Sequence, residues 1–237
     1  MQIKDSTALV TGANRGIGYE ITQALVAAGA KKVYAGMRQT NGFQSSDSRI
    51  EAIELDVTKP ENVATASQVA SDVNLLINNA GVLDFGDILQ ASPEVLQRNL
   101  AVNLFGKLDV SQQFVPIIKQ NGGGAIANVL TLVALASMPG LSVYNASKAA
   151  AWSMSLSLRA SLNGSGIEVH NVFPGAVDTD MLAGVEMEKT SAKDVAKAIV
   201  GGIGDGQEDI FPDPMSKSVY QEWRRDHKAI EKQFANM

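Results

Sequence analysis

The chain has 237 residues, 45% of them hydrophobic, a formal net charge of −5 and no cysteine. That length and apolar content suffice for a full core, and an α/β chain of this size is usually one domain. The missing cysteines exclude a disulfide framework and a Cys-ligated zinc site, and the negative charge argues against a nucleic-acid face. His170 and His227 stand far apart without ligand spacing, so they read as structural or surface residues rather than a metal site. Arg224, Arg225 and Lys228 alternate with Glu222, Asp226 and Glu231, as on a solvated helix. Met1 to Asp5 lead straight into an apolar run with no leader-like segment, so the expected location is the cytosol. The most apolar stretch, Val129 to Leu141, is too short to span a bilayer and is broken by Thr131, Ser137 and Pro139.

In chain order, Ser6 to Val10 reads as a strand. It runs into Thr11-Gly12-Ala13-Asn14-Arg15-Gly16-Ile17-Gly18, after which Ile21, Leu25, Val26 and Ala28 recur at helical spacing. Strand, glycine turn and helix in that order make a pyrophosphate cradle. Glycines let the backbone turn and approach the anion, and the helix N-terminus supplies N–H groups and positive dipole. A glycine turn that merely starts a helix is the alternative. Lys32 to Gly36 is the second strand, and an acid at its end would accept a ribose 2′-hydroxyl. Met37 and Arg38 stand there instead, and Arg15 lies in the glycine loop. Two guanidinium groups suit a 2′-phosphate, so the expected cofactor is NADP(H).

Gln39 to Ser48 is polar and rich in Gly and Ser, and reads as a loop. Arg49 to Leu55 is a strand ending at Asp56-Val57-Thr58, and Glu61 to Ala70 a helix. Val73 to Ile77 is a strand ending in Asn78-Asn79-Ala80-Gly81, which is either only a turn or a place where small residues let the backbone pass close to a ribose and nicotinamide, the reading its position favours. Ser92-Pro93-Glu94 looks like an N-cap, N1 proline and acidic first turn. Gly122 to Gly124 turns into a strand over Ala125 to Leu130, and Ala149 to Leu162 reads as a helix. Directly before that helix stands Tyr144-Asn145-Ala146-Ser147-Lys148. If the helix has begun by Tyr144, the phenol and the ammonium share one face. A cation about 4 Å away at an effective dielectric of ~20 is worth roughly 4 kcal/mol, or about three pKa units toward phenolate, which would fit the pair for acid-base work near neutrality.

Ile167 to Phe173 is the sixth strand and leads into Pro174-Gly175-Ala176-Val177-Asp178-Thr179. Ser191-Ala192-Lys193-Asp194 starts a helix through Val200, Asp209 to Pro212 reads as a final strand, and Met215 to Met237 as a helix beyond the core. Strands alternating with helices predict an α/β fold, a Rossmann-type doubly wound parallel sheet of about seven strands with helices on both faces. The ligand belongs beyond the carboxyl ends of the strands, at Thr11, Asn78, Leu130 and Phe173.

Taken together, the glycine loop, Asn78-Asn79-Ala80-Gly81 and Tyr144-Asn145-Ala146-Ser147-Lys148 resemble the short-chain dehydrogenase/reductase family over nearly the whole chain, weakening after about Glu186. The resemblance implies one domain, with a cofactor half over about 1–130 and a catalytic and substrate half over about 131–237. It implies that Gly12, Asn14, Arg15, Gly16, Ile17 and Gly18 hold the pyrophosphate region. Arg38 then stands by the adenosine ribose, Asp56 and Val57 by adenine, and Asn79, Ala80, Gly81, Tyr144 and Lys148 by the nicotinamide ribose. Pro174, Gly175, Val177 and Thr179 correspond to the segment that meets the carboxamide. The implied catalytic set is Asn103, which bends a helix and holds a water near the lysine, with Thr131, Tyr144 and Lys148. Thr131 lies thirteen positions before the tyrosine, where serine is usual. The implied activity is hydride transfer between NADP(H) and a ketone, aldehyde or secondary alcohol, most simply as a carbonyl reductase. The threonine keeps an NADPH-binding sensor or scaffold as the alternative. The family also implies a homodimer or homotetramer joined by helices around Leu104 and Trp152 to Leu162, no membrane partner, and a lid at Met181 to Lys189. That lid is short here, and the expected site is open.

Overall fold

The computed structural model describes residues 1–237. In chain order it contains β1 (Thr7–Thr11), α1 (Gly16–Ala27), β2 (Lys32–Met37), β3 (Ile50–Glu54), α2 (Pro60–Val69), β4 (Leu75–Asn78) and α3 (Pro93–Leu100). A π-helical turn (Ala101–Gly106) joins α3 to α4 (Lys107–Gln120), followed by β5 (Gly124–Val129), α5 (Ser142–Ser161), β6 (Ile167–Val172), β7 (Val177–Asp178), β8 (Thr190–Ser191), α6 (Ala192–Gly204), β9 (Asp209–Ile210), α7 (Pro214–Arg225) and α8 (His227–Ala235). Seven strands form one parallel sheet in the order β3-β2-β1-β4-β5-β6-β9. The order reverses between β1 and β4, which opens a crevice at their carboxyl ends where such sheets bind ligands.

Alternation along each strand sorts the core into two layers. Ala8 and Val10 of β1, with Leu75 and Ile77 of β4, pack with Ile21 and Leu25 of α1 and with Val195 and Ile199 of α6. Leu9 and Leu76 face the other way, onto Val63 of α2 and onto Val110 and Phe114 of α4. A sheet covered on both faces needs such near-continuous apolar strands, and these runs supply them. At the carboxyl end a polar row replaces them. Asn78, Asn128, Asn171 and Asp209 stand in register across four strands. Their side chains connect Asn78 to Asn128, then through Ser155 to Asn171 and on to Asp209, with bonds of 2.5 to 3.0 Å. Buried amides cost little only when so partnered.

Three boundaries differ from the sequence reading. The catalytic-motif helix starts at Ser142, well ahead of Ala149, so Tyr144 and Lys148 do share its face. Helix α6 runs past Val200 to Gly204, and the missing side chain at Gly202, where a Cβ would stand 2.9 Å from the Ile210 side chain, lets it lie close to β9. The tail is not one helix beyond the core. It breaks at Asp226, whose carboxylate caps α8 by accepting from the Lys228 and Ala229 N–H groups. Helix α7 is held by aromatic stacking, Phe173 on Phe211 at 5.1 Å and Phe211 on Tyr220 at 3.9 Å. Helix α8 then lays Ile230 and Phe234 onto Leu132, Val133 and Tyr144.

Candidate active site

The glycine loop is fastened to the tip of β4. The Thr11 hydroxyl accepts the backbone N–H groups of Asn79 at 3.0 Å and Ala80 at 2.9 Å, and the Asn79 amide donates to the carbonyls of Thr11 and Gly12. The Asn79 side chain, expected at the cofactor, thus braces the loop. Thr11 was legible only as a strand end, yet its hydroxyl ties the two ligand-facing tips together. Gly12 and Gly16 have φ of 67° and 56°, a region that disfavours any Cβ. A Cβ at Gly12 would stand 3.0 Å from the Ala80 Cα, and one at Gly16 would touch Thr179 at 3.3 Å. Glycine is therefore required at both positions of a turn that leads into a helix N-terminus, whose free N–H groups suit a pyrophosphate.

At the adenosine end, Arg38 is exposed just after β2. Burial works upward on the Asp56 carboxyl, but hydrogen bonds from Thr58, aided by Lys59 and Arg38, hold it below the ordinary value. Val57 is buried against Gly106 of the π turn. Arg15 does not join Arg38. Its guanidinium pairs with Asp180 at 3.1 Å across the mouth of the cleft, between two exposed side chains. Asn14 is exposed and Ile17 half-buried beside it.

Tyr144 and Lys148 lie one turn apart on α5, both buried. The Lys148 ammonium donates to the Val129 carbonyl at 3.1 Å and stands 5.6 Å from the centre of the Tyr144 ring. Burial pushes the Tyr144 phenol up to about 12, opposed by hydrogen bonding with the Thr131 hydroxyl. Burial also brings Lys148 down to about 8. The expectation that Lys148 draws the phenol toward neutrality is thus corrected: the ammonium lies over the ring face, and burial is the main influence on the phenol. Thr131 stands two residues past the end of β5 and caps a short 3₁₀ turn, with only long contacts of 3.4 and 3.5 Å to Val133 and Pro174. Its hydroxyl is left facing the phenol.

Asn103 sits in the π turn, fully buried rather than solvent-facing. Its amide binds the Val82 carbonyl and Ser147 at 2.9 Å each, and its oxygen accepts the Val82 N–H at 3.0 Å. Pro174 accepts from the Leu132 N–H, and the Gly175 N–H donates to Asp213 at 2.8 Å, so both spend polar groups inside the protein. Val177 is buried, and Thr179 lies over Gly16. Asp213, which sequence reasoning passed over, caps α7 and pins the Gly175 turn at once; Asp213-Pro214 followed by Ser216 carried the capping signal. The tail supplies the other omission. Ile230 and Phe234, with Met215, Val219 and Trp223, form the apolar wall around Tyr144. Tyr144 is 7% exposed and packs in the cluster that holds Ile230 and Phe234 of α8, so the phenol itself is not left open beside the short Met181 to Lys189 segment. That segment is closed at its base by the pairing of β7 with β8.

This arrangement has close counterparts. Residues 6–190 match the family model described as short chain dehydrogenase. The 2,3-dihydro-2,3-dihydroxybenzoate dehydrogenase of Escherichia coli (strain K12) is 36% identical over 185 residues, covering 76% of this chain and 73% of that protein. The 3-alpha-(or 20-beta)-hydroxysteroid dehydrogenase of Mycobacterium bovis is 34% identical over 181 residues, covering 73% and 70%. A short chain dehydrogenase from Burkholderia cenocepacia J2315, solved in complex with NADP, superposes with a TM-score of 0.94 at 36% identity over 99% of both chains. Glycine cradle, tyrosine-lysine face and these likenesses agree: the chain belongs to the short-chain dehydrogenase family.

Proposed function

We propose that the chain is an NADP-dependent carbonyl reductase acting on an apolar ketone or aldehyde. The observation that carries this reading is the buried Tyr144 phenol, beside the Thr131 hydroxyl and one helical turn from Lys148, beneath an apolar wall at the carboxyl edge of the sheet. NADPH, when bound, supplies the hydride. The cradle of Gly12, Gly16 and Gly18 fits its pyrophosphate, and Arg38 its 2′-phosphate, with Ala80, Gly81, Val177 and Thr179 at the nicotinamide end. The relative from Burkholderia cenocepacia, which holds NADP, supports that choice.

Tyr144 gives its proton to the carbonyl oxygen as negative charge builds there. A phenol pushed to about 12 keeps that proton at neutral pH, the form that reduction requires. Thr131 donates a hydrogen bond to the same oxygen, and Lys148 stabilises the phenolate that is left. Asn103 holds Ser147 and Val82, and so fixes α5 against the loop after β4. Leu132, Val133, Ile230 and Phe234 exclude water and accept the substrate's apolar part.

Exposed Phe105 and Leu156 support self-association through the π turn and α5, as a homodimer or homotetramer. No helix is long and apolar enough to cross a membrane, and a cytoplasmic setting fits a cysteine-free reductase. NADPH consumption with a panel of aryl and alkyl ketones and aldehydes tests the reading. Turnover with at least one carbonyl is expected. NADPH binding without turnover on any of them would make the chain a sensor or scaffold.

A further inference from the structure

Beneath the catalytic pair lies a second buried lysine that the reaction above does not use. Lys107 opens α4, is 2% exposed, and donates to the carbonyl oxygens of Asn78 at 2.5 Å and Ala80 at 3.3 Å. It stands four residues after Asn103 and four before Ser111, so the three share one helix face. Ser111 accepts from the Asn78 amide at 3.0 Å, and Asn103 grips both backbone groups of Val82. The three rungs therefore hold residues 78, 80 and 82 in succession. Gly81 lies between the upper two, where a Cβ would stand 3.5 Å from the Lys148 Nζ. We propose that Lys107 is a positioning residue for the reaction: it sets the height of the Ala80–Gly81 backbone against Lys148, and with it the seat of the cofactor's ribose. This rests on the dehydrogenase reading of the site.

An apolar side chain would fill the same volume, so the amine is explained by what it binds. An ammonium has three donors, whereas a neutral amine has two, the number of carbonyls that Lys107 serves. Burial holds Lys107 well below the ordinary lysine range, and Lys148, facing it from α5, lowers it further. The tip of β4 and the loop after it bring Asn78, Asn79 and Ala80, and Lys107's own helix face brings Asn103 and Ser111, all uncharged. Two amines so placed carry one positive charge more easily than two.

The test compares the parent with Lys107→Met and Lys107→Gln. Because Lys107 is depressed in the folded state, the unfolded chain binds more protons below the free lysine value of about 10.4, and the parent gains stability as pH rises toward it. The parent's Tm, measured without cofactor from pH 7 to 10, should therefore climb by several degrees relative to both variants. Lys107→Met should weaken NADPH binding, followed by fluorescence titration, about tenfold, and Lys107→Gln, which restores an N–H donor, should recover part of it. A Lys107→Met protein with parental NADPH affinity and a parallel Tm–pH curve would overturn the proposal. If that variant does not fold, a parallel curve for Lys107→Gln overturns it alone. Tm and NADPH affinity do not depend on turnover, so a parent that reduces no carbonyl sinks the reductase reading without deciding this one.

Discussion

The two walls of the cleft are built on different principles. On the cofactor side, backbone is held to backbone by short polar side chains: Thr11 and Asn79 fasten the glycine loop, and Asn103 fastens the loop after β4. Glycine is required where chains touch, as at Gly18, whose Cβ would strike the Gly12 carbonyl and the Asn79 amide. On the substrate side, Leu132, Val133, Ile230 and Phe234 meet through apolar contact alone. A hydrogen-bonded backbone seat accepts one shape, whereas an apolar wall accepts swaps of similar volume at less than about 1.5 kcal/mol. On the reading proposed above, the first wall would fix which cofactor part goes where. The second leaves the substrate free to change without disturbing the first.

The sharpest break in that comparison falls at the seam between the walls. Tyr144→Phe removes one hydroxyl and keeps the ring that packs on Ile230 and Phe234. NADPH affinity should hold within about twofold while kcat drops by roughly 10³, since a positioned acid contributes about 10² to 10⁴. Activity within a few-fold of the parent would show that Tyr144 is not the acid.

Thr131 gives the next largest effect. Threonine keeps the donor but adds a methyl that stiffens χ1. The hydroxyl faces the phenol, so Thr131→Val should lose on the order of 10²-fold in kcat, the usual cost of one oxyanion donor. Thr131→Ser should preserve activity and admit bulkier ketones. Equal kcat for Thr131→Val and the parent would remove the residue from the mechanism and turn attention to Ser142.

How much of this was legible in advance follows the same division. The cofactor wall is made of local signals: a glycine run after a strand, a small-residue turn, a tyrosine and a lysine one helical turn apart. Each can be read without knowing the rest of the chain. The bracing by Thr11, the seam of Lys107 and Ser111, and the pinning of Gly175 by Asp213 join residues far apart in sequence, and a single residue type carries no sign of its partner. The phenol's upward shift was missed because proximity to a cation can be read from spacing, while burial cannot. The tail was placed outside the core for the same reason. Its Ile230 and Phe234 are ordinary apolar positions until the aromatic stack of Phe173, Phe211 and Tyr220 sets where the helix lands.

A smaller effect sharpens the cofactor side. With Arg15 paired to Asp180, discrimination of a 2′-phosphate falls mainly to Arg38. One charge-assisted contact is worth about 1.5 to 3 kcal/mol, so kcat/KM should favour NADPH over NADH about tenfold or more. Arg38→Asp should abolish or invert that ratio, with NADH activity near parental. A variant that keeps its NADPH preference would move the phosphate site elsewhere.

The smallest effect tests the independence of the substrate wall. Phe234 is 3% exposed in the last turn of α8, packed in the cluster that contains Tyr144. Truncating a buried phenylalanine in a core costs about 3 to 5 kcal/mol, but α8 is the terminal helix and can shift on its short connection at Asp226, so Phe234→Ala should cost less than that and lower Tm by only a few degrees. The space opened lies over the phenol and away from the glycine cradle. KM for small ketones should rise a few-fold as the wall loosens, KM for bulky ketones should fall, and the dissociation constant for NADPH should stay within about twofold. Phe234→Leu, which gives up less volume, should sit between Phe234→Ala and the parent in both respects. If NADPH affinity instead falls in step with ketone turnover, the two walls are coupled through α8, and the tail belongs to the cofactor site as much as to the substrate.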